Sequence, residues 1–532
     1  MIYGTMIQNG KEIRVSAAEG ETLRSVLLRA GAYVSSPCGG NGTCGKCRVR
    51  ASGMLVGEGD GETWLACRTK VIGTFTVEAG TPHALGAQTA YQSVPYTVSP
   101  AVRSQRTATE ARFYLGDTVI STDRPDARNL GLAVDIGTTT AAVYLCDMDR
   151  GTVIGSRGFA NPQRVWGADV ISRVDKIMKD PAALAAQQKC IIDAINEAAR
   201  ALLPEGTAMG EIRAAVFCGN TVMQHIAAGL DPSGIAVAPF TPKTLFGEWY
   251  DAGAIGLEAA AGARIYFAPC VASYVGGDIL CGVIATGLDH TEKNVIYLDI
   301  GTNGEIGLAT KDGLRFCSAA AGPAFEGAHI ACGMPGMAGA VSAICREGET
   351  IRFETVGGGE PVGICGSGIL DGVAVMLDAG LLDETGCIDE DADSLYILED
   401  EEGDACFSLH EHVYLTGRDI REVQLAKAAI AAGIRTLLHE ASLEAREIDA
   451  LVLAGGFGAH IRPESACRIG LIPEIPPDKI VSVGNTAGAG AVMLLLGREP
   501  REVAERILAR SQYTELSLNA FFMEAYIEEM EF

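Results

Sequence analysis

The sequence has no run of 18 or more apolar residues, which excludes an ordinary transmembrane helix. Met1 to Gly10 lacks the charged segment and apolar stretch of a secretory signal, so the chain is expected in the cytoplasm. Positive charge is scarce: 42 Lys and Arg stand against 67 Asp and Glu, for a net charge of −25. Such a chain is repelled by phosphate backbones and anionic bilayers, so neither nucleic acid nor a membrane is an expected partner. No Cys follows Cys467, so no C-terminal cluster motif is present.

What is present is length, glycine and thiol. A chain of 532 residues exceeds a single hydrophobic core, so two or more domains are expected. Of the 16 Cys, four fall before residue 70 and twelve are scattered singly from Cys146 to Cys467. The scattered ones, set among apolar neighbours, read as small buried hydrophobes. The 65 Gly point to close backbone approaches, as in nucleotide-binding loops.

Residues 1–83 read as one domain. Met1 to Val15 forms two strands about the turn Asn9-Gly10, a strong hairpin signal. Thr22 is placed to cap a helix with the apolar stripe Leu23, Val26, Leu27 and Ala30, ended by Gly31. A hairpin followed by a helix opens a β-grasp fold. Cys38, Cys44 and Cys47 follow with C-x5-C-x2-C spacing, and Cys67 completes four. Four thiolates converging on two irons make a [2Fe–2S] site, and Gly39, Gly40, Gly42 and Gly45 let the chain wrap it. Zinc sites pair two close Cys pairs, and here only one close pair exists.

Residues 84–130, rich in Ala, Ser, Thr, Gln and Pro as far as Arg106, read as a linker with a strand near Phe113 to Ile120. Residues 131–500 form the large domain. An apolar strand runs into Asp135-Ile136-Gly137-Thr138-Thr139-Thr140 and a second strand returns. The turn exposes backbone N–H and hydroxyl donors for a phosphate, and Asp135 is placed to hold hydrated Mg²⁺. The design recurs 164 residues on, at Asp299-Ile300-Gly301-Thr302-Asn303-Gly304-Glu305. The repetition predicts a duplicated α/β unit whose two lobes close on a nucleotide. A third element, an apolar strand into Gly455-Gly456-Phe457-Gly458, admits a flat adenine or ribose. Gly484 to Ala491 reads as a small-residue helix start where the two lobes can pack. The acidic, aromatic segment 501–532 is expected to pack on this domain.

In this order the motifs resemble the ATPase superfamily of acetate and sugar kinases, Hsp70 and actin. The predicted fold class is therefore α/β (α+β), a β-grasp [2Fe–2S] ferredoxin-like domain plus a duplicated two-lobed ATPase domain. The whole chain further resembles the reductive activators of corrinoid-dependent methyltransferases. Asn161-Pro162-Gln163, Gly167 to Arg173, Cys218 to Thr221, Ala321 to Gly327, Cys365 to Gly368 and Thr416 to Lys427 carry that resemblance.

The family implies ATP-dependent, one-electron transfer from the [2Fe–2S] cluster to a corrinoid protein, converting Co(II) to Co(I) for methyl transfer. It implies a low-potential electron donor and, on resemblance alone, a homodimer. Asp135, Asp299 and Glu305 are the expected catalytic residues. Gly137, Thr138, Thr139, Thr140, Gly301, Thr302, Asn303, Gly304, Gly455, Gly456, Phe457 and Gly458 are expected to bind ATP, with Mg²⁺. Cys38, Cys44, Cys47 and Cys67 are expected to hold the cluster. The alternative is a redox-regulated small-molecule kinase of the same superfamily, although no substrate motif is recognisable.

Overall fold

The computed structural model describes residues 2–8, 11–30, 32, 34, 47–78, 89–167, 169–301, 303–400, 403–458, 460–497 and 500–532. Asn9, Gly10, Gly31, Cys38, Gly39, Gly40, Gly42, Cys44, Gly45 and Thr302 lie outside the described residues.

The N-terminal sheet runs, in spatial order, through strands Lys11–Ala17, Ile2–Gln8, Lys70–Glu78, Arg48–Val56 and Thr63–Leu65. Ile2–Gln8 pairs antiparallel with its hairpin partner and parallel with Lys70–Glu78, the signature of a β-grasp. Helix Leu23–Arg29 lays Leu23, Val26 and Leu27 against Met6, Val71, Phe75 and Val77. Gly4 permits that packing, since a Cβ there would meet the Phe75 ring at 2.5 Å.

The expected linker is structured over much of its length. Val102–Arg106, Ala111–Leu115 and Thr118–Asp123 form a three-stranded antiparallel sheet. Val102, Ala111 and Phe113 are buried in the same core as the large domain's Ala133 and Val216. Arg213, buried in the first lobe, pairs with Asp123 at 2.7 Å and lies over the Phe113 ring. A polar composition hid this unit because most of its surface is solvated; the alternation Ala111, Phe113 carries its one buried face.

Two six-stranded sheets build the large domain. In the first, a meander of Leu130–Ile136, Thr140–Asp147 and Thr152–Ala160 is extended in parallel by Ile212–Gly219 and Arg264–Phe267. In the second, a meander of Val295–Ile300, Gly304–Thr310 and Gly313–Ala319 is extended in parallel by Ala450–Ala454 and Ile480–Gly484. These five strands have the same order and sense in both sheets, which is the predicted duplication; the sixth, Trp249–Asp251 in the first and Ser511–Tyr513 in the second, is added at opposite edges. The central strands are buried along nearly their whole length, which explains their continuous apolar runs.

Helices Gly277–Thr286 and Thr486–Leu496 pack on each other between the sheets. Small residues make the approach possible: a Cβ on Gly490 would lie 2.1 Å from the Cys281 carbonyl oxygen. Helix Gly417–Ala441 is started by a capping box between Thr416 and Asp419, of a kind worth about 1 kcal/mol. Helix Ala520–Glu528 lies along it, and Glu529 next to that helix reaches the buried Lys427 at 3.5 Å and Arg435 at 3.0 Å. Among the described residues no helix is long and apolar enough to cross a membrane.

Candidate functional site

The cluster site is described at two of its four expected ligands. Cys47 is buried and Cys67 half-buried, with their sulfurs 3.2 Å apart. The Cys67 N–H points at the Cys47 sulfur at 3.4 Å. The carbonyl of Cys47 accepts from the Ala66 N–H at 2.8 Å, which ties the two cysteine segments together. Two cysteine sulfurs at this separation, one receiving a backbone N–H, suit thiolate ligation of an iron–sulfur cluster. Cys38 and Cys44 lie outside the described residues.

The second site lies in the cleft between the lobes. Asp135 and Asp299 sit at corresponding ends of the two central strands, each followed by its turn. The first turn is held from behind. Asn161 bonds the carbonyls of Gly137 at 2.7 Å through its side chain and Thr139 at 2.9 Å through its backbone. Arg173 donates to the Thr138 carbonyl at 2.5 Å, and Asn220 donates to the Thr138 hydroxyl at 3.0 Å. Carbonyls engaged behind the turn leave its cleft side to donors. Thr139 reaches across the cleft, its hydroxyl donating to the Glu326 carboxylate at 3.2 Å. Thr140 begins the returning strand.

The second turn closes through a bond from the Gly301 N–H to the Asn303 carbonyl at 2.9 Å, and Gly304 and Glu305 begin the next strand. Glu305 pairs with Asp299 across the hairpin and accepts a hydrogen bond from the Asn303 side chain. Gly455 stands against Asp299 in a left-handed conformation, φ 79°, and a Cβ there would come within 2.3 Å of the carboxylate. Gly456 faces open space, where a flat group has room. Phe457 is stacked on Phe325, ring centroids 5.7 Å apart, and Gly458 closes the short turn of helix.

A fourth acid joins the three expected ones. Asp278, in the first turn of helix Gly277–Thr286, lies within the field of Asp135 and Asp299. Burial pushes Asp135 up to about 6, although a 2.9 Å bond from Asn485 opposes it. Burial and Asp135 push Asp299 up to about 7. Burial, Asp135 and Asp299 push Asp278 up to about 8. Glu305 is raised well above the ordinary carboxylate range by burial, then by Asp278 and Asp299. Among the described residues, the groups that shift the four most are burial, the other acids and neutral hydrogen-bond donors. Among the described residues no three acids close into a ready-made metal cage. Carboxylates spread over a cleft suit a hydrated Mg²⁺ that keeps several waters, rather than a tightly enclosed ion.

Asp278 carried a readable signal in Gly276-Gly277-Asp278, an acid at the start of a small-residue helix. Asn220 and Arg173, which shape the first turn, had none beyond the resemblance. The Ser367 hydroxyl donates to the Ser342 carbonyl at 2.7 Å. Lys427 serves the C-terminal segment through Glu529.

Comparison with known proteins accords with this arrangement. Residues 6–71 match the 2Fe-2S iron-sulfur cluster binding domain, 130–291 the RACo middle region, and 293–532 the C-terminal domain of RACo, the ASKHA domain. Corrinoid activation enzyme RamQ of Eubacterium limosum is 31% identical over 417 residues, 75% of this chain and 69% of that protein. The [Co(II) methylated amine-specific corrinoid protein] reductase of Methanosarcina barkeri is 25% identical over 418 residues, 71% of this chain and 73% of that one. A solved structure of a reductive activator for corrinoid, iron-sulfur protein aligns over 99% of this chain and 98% of its own. Its TM-score is 0.73 at 31% identity. A ferredoxin-type domain joined to a two-lobed domain of the ATPase fold defines an iron–sulfur protein with a nucleotide-type cleft. The chain belongs to the family of corrinoid reductive activators.

Proposed function

We propose that the protein reduces the cobalt of a corrinoid protein from Co(II) to Co(I) by one electron, with Mg-ATP bound and hydrolysed between the lobes. A [2Fe–2S] cluster held by Cys38, Cys44, Cys47 and Cys67 supplies that electron, and a low-potential donor restores it. Family membership supports corrinoid activation, and the cleft supports the nucleotide. The observation that carries the ATP reading is the pair of matching turns after Asp135 and Asp299, at corresponding ends of the two central strands, with the acids Asp278 and Glu305 buried beside them.

The residues divide the work. Gly137, Thr138, Thr139 and Thr140 offer donors to the phosphates on one side, and Gly301, Thr302, Asn303 and Gly304 on the other. Asp135 and Asp299 would hold a hydrated Mg²⁺, whose charge would favour the ionised form of the acids around it. Glu305, held by Asn303, orients the water that attacks the terminal phosphate. Gly455, Gly456, Phe457 and Gly458 receive the adenosine. ATP is needed because each ~59 mV uphill costs about 1.4 kcal/mol, so a gap of about 200 mV costs about 5 kcal/mol. The protein works in the cytoplasm as a homodimer, and residues 1–83, 131–500 and 501–532 are its functional units.

Anaerobic absorption spectroscopy tests the reading. The mixture holds the protein, a low-potential reductant and a Co(II) corrinoid protein. The Co(II) band is expected to give way to Co(I) only when both the protein and Mg-ATP are present. Equal conversion without ATP sinks the ATP role. ATP hydrolysis with a reducible cluster, but no conversion across a panel of corrinoid proteins, moves the kinase alternative ahead.

A further inference from the structure

Arg24 lies on the helix of the cluster domain, yet only 8% of it is exposed. Both terminal nitrogens of its guanidinium donate to the carbonyl of Val165, 141 residues away in the first lobe, at 3.4 Å each. Val165 ends the 3-10 turn Pro162–Val165. The turn begins at Asn161, whose side chain bonds the Gly137 carbonyl and whose backbone N–H bonds the Thr139 carbonyl. Gln163, fully buried in the turn, bonds Asn161 and faces Arg173, which in turn bonds Thr138. The far face of Arg24 is as short a path. Its backbone N–H donates to the Ala66 carbonyl at 2.9 Å, and Ala66 is bonded to Cys47 and adjoins Cys67.

The cluster ligands and the first turn are thus joined by a polar bridge. Its joint between the two domains includes the pair of 3.4 Å bonds from Arg24 to the Val165 carbonyl. Hydrogen bonds of this length are near the limit of useful strength, so a small displacement of Val165 weakens them. The 161–165 segment is bonded to that turn, so a shift of the turn on binding phosphates would be carried to the Val165 carbonyl that Arg24 holds. We propose that Arg24 is a nucleotide-sensitive clip: it docks the cluster domain onto Pro162–Val165, and phosphates bound at Gly137 to Thr139 loosen it. This rests on the nucleotide reading of the cleft. It identifies release of the electron-carrying domain as a step that nucleotide binding controls.

The test uses the full-length, cluster-loaded protein with the non-hydrolysable analogue AMPPNP and Mg²⁺. Amide hydrogen exchange is followed in Leu23–Arg29, and analogue binding is measured by calorimetry on the same samples. In the wild-type chain the analogue is expected to speed exchange there by about fivefold or more, the lower end of ordinary coupling. Arg24→Ala should exchange fast without the analogue and show no further change. By reciprocity it should also bind the analogue more tightly by the same factor, which a mere loss of structure would not produce. Arg24→Lys, which keeps charge but loses the fork, should fall between, and it carries the test if the alanine variant loses its cluster spectrum. Analogue binding with unchanged or slower exchange in the wild type overturns the clip alone. A wild-type chain that binds no analogue overturns the nucleotide reading and the clip together.

Discussion

Asp278 shows how a single residue trades stability for a site. Its carboxyl is raised to about 8 by burial and by Asp135 and Asp299, against about 4 in an unfolded chain. The folded state therefore holds the proton more tightly than the unfolded state between those values. Stability from this group is full below about pH 4 and is lost as pH rises toward 8. The nucleotide-free protein should accordingly melt at lower temperature at pH 8 than at pH 5. Asp278→Asn should flatten that slope, raise the melting temperature at pH 8 and weaken Mg-nucleotide binding, as expected where a site is built at the expense of stability. Differential scanning fluorimetry across that range decides it, and parallel slopes for the two proteins would refute the assignment. Gly455 belongs to the same scale. Only a residue without Cβ can stand 2.3 Å from where Asp299 sits, so its glycine is dictated by the acid beside it.

Among the elements, the two crossing helices matter most, because they connect the lobes. Gly490 admits the Cys281 carbonyl, and Gly282 admits the Tyr297 hydroxyl, which is bonded to Thr486 at 2.8 Å. Gly490→Val must displace backbone rather than a flexible side chain, so it should destabilise the chain by about 1–3 kcal/mol or more. Gly456→Ala, where nothing lies within 4 Å of the added carbon, should leave thermal stability near wild type. Equal melting temperatures for wild type and Gly490→Val would show that the helices can separate freely. The three-stranded sheet over 102–123 belongs to this scale too. It is fastened to the first lobe by Arg213 to Asp123 and by Asn129 to the Val102 carbonyl at 2.8 Å, so it moves with that lobe.

At the scale of the whole molecule, the C-terminal segment binds the second lobe together. It adds strand Ser511–Tyr513 to that lobe's sheet and lays Ala520–Glu528 on the long helix. Burial lowers the Lys427 ammonium, and Glu529 is the carboxylate that offsets it. Glu529→Ala leaves this buried charge without that partner and also removes a bond to Arg435. Chemical denaturation should show a loss of about 1–3 kcal/mol, with the cluster spectrum unchanged because the N-terminal domain is remote in the chain. A loss confined to the cluster signal would contradict this division of the molecule.

The local grammar was legible in the sequence wherever chemistry demands a particular residue at a particular spacing. The four cysteines, the repeated strand–Asp-x-Gly-Thr–strand hairpins and the Gly-Gly turn after an apolar strand are of that kind, and they specified the duplicated fold and most of the cleft. The folded core of residues 102–123 was less legible, because a small sheet with one buried face differs little in composition from a connecting segment. Asp278, Asn220, Arg173 and Glu326 come from four separated stretches. Their value lies in distances across the cleft and behind the first turn, and no local periodicity encodes those distances. The amino-acid order by itself determined which cysteines, hydroxyls, glycines and acids the protein has, and at what spacing. The tertiary structure alone decided that four buried acids raise one another's pKa, and that Arg24 of the cluster domain touches the segment behind the first turn. Electrostatic energy and hydrogen bonding depend on separation in space, and folding sets that separation between residues far apart in the chain.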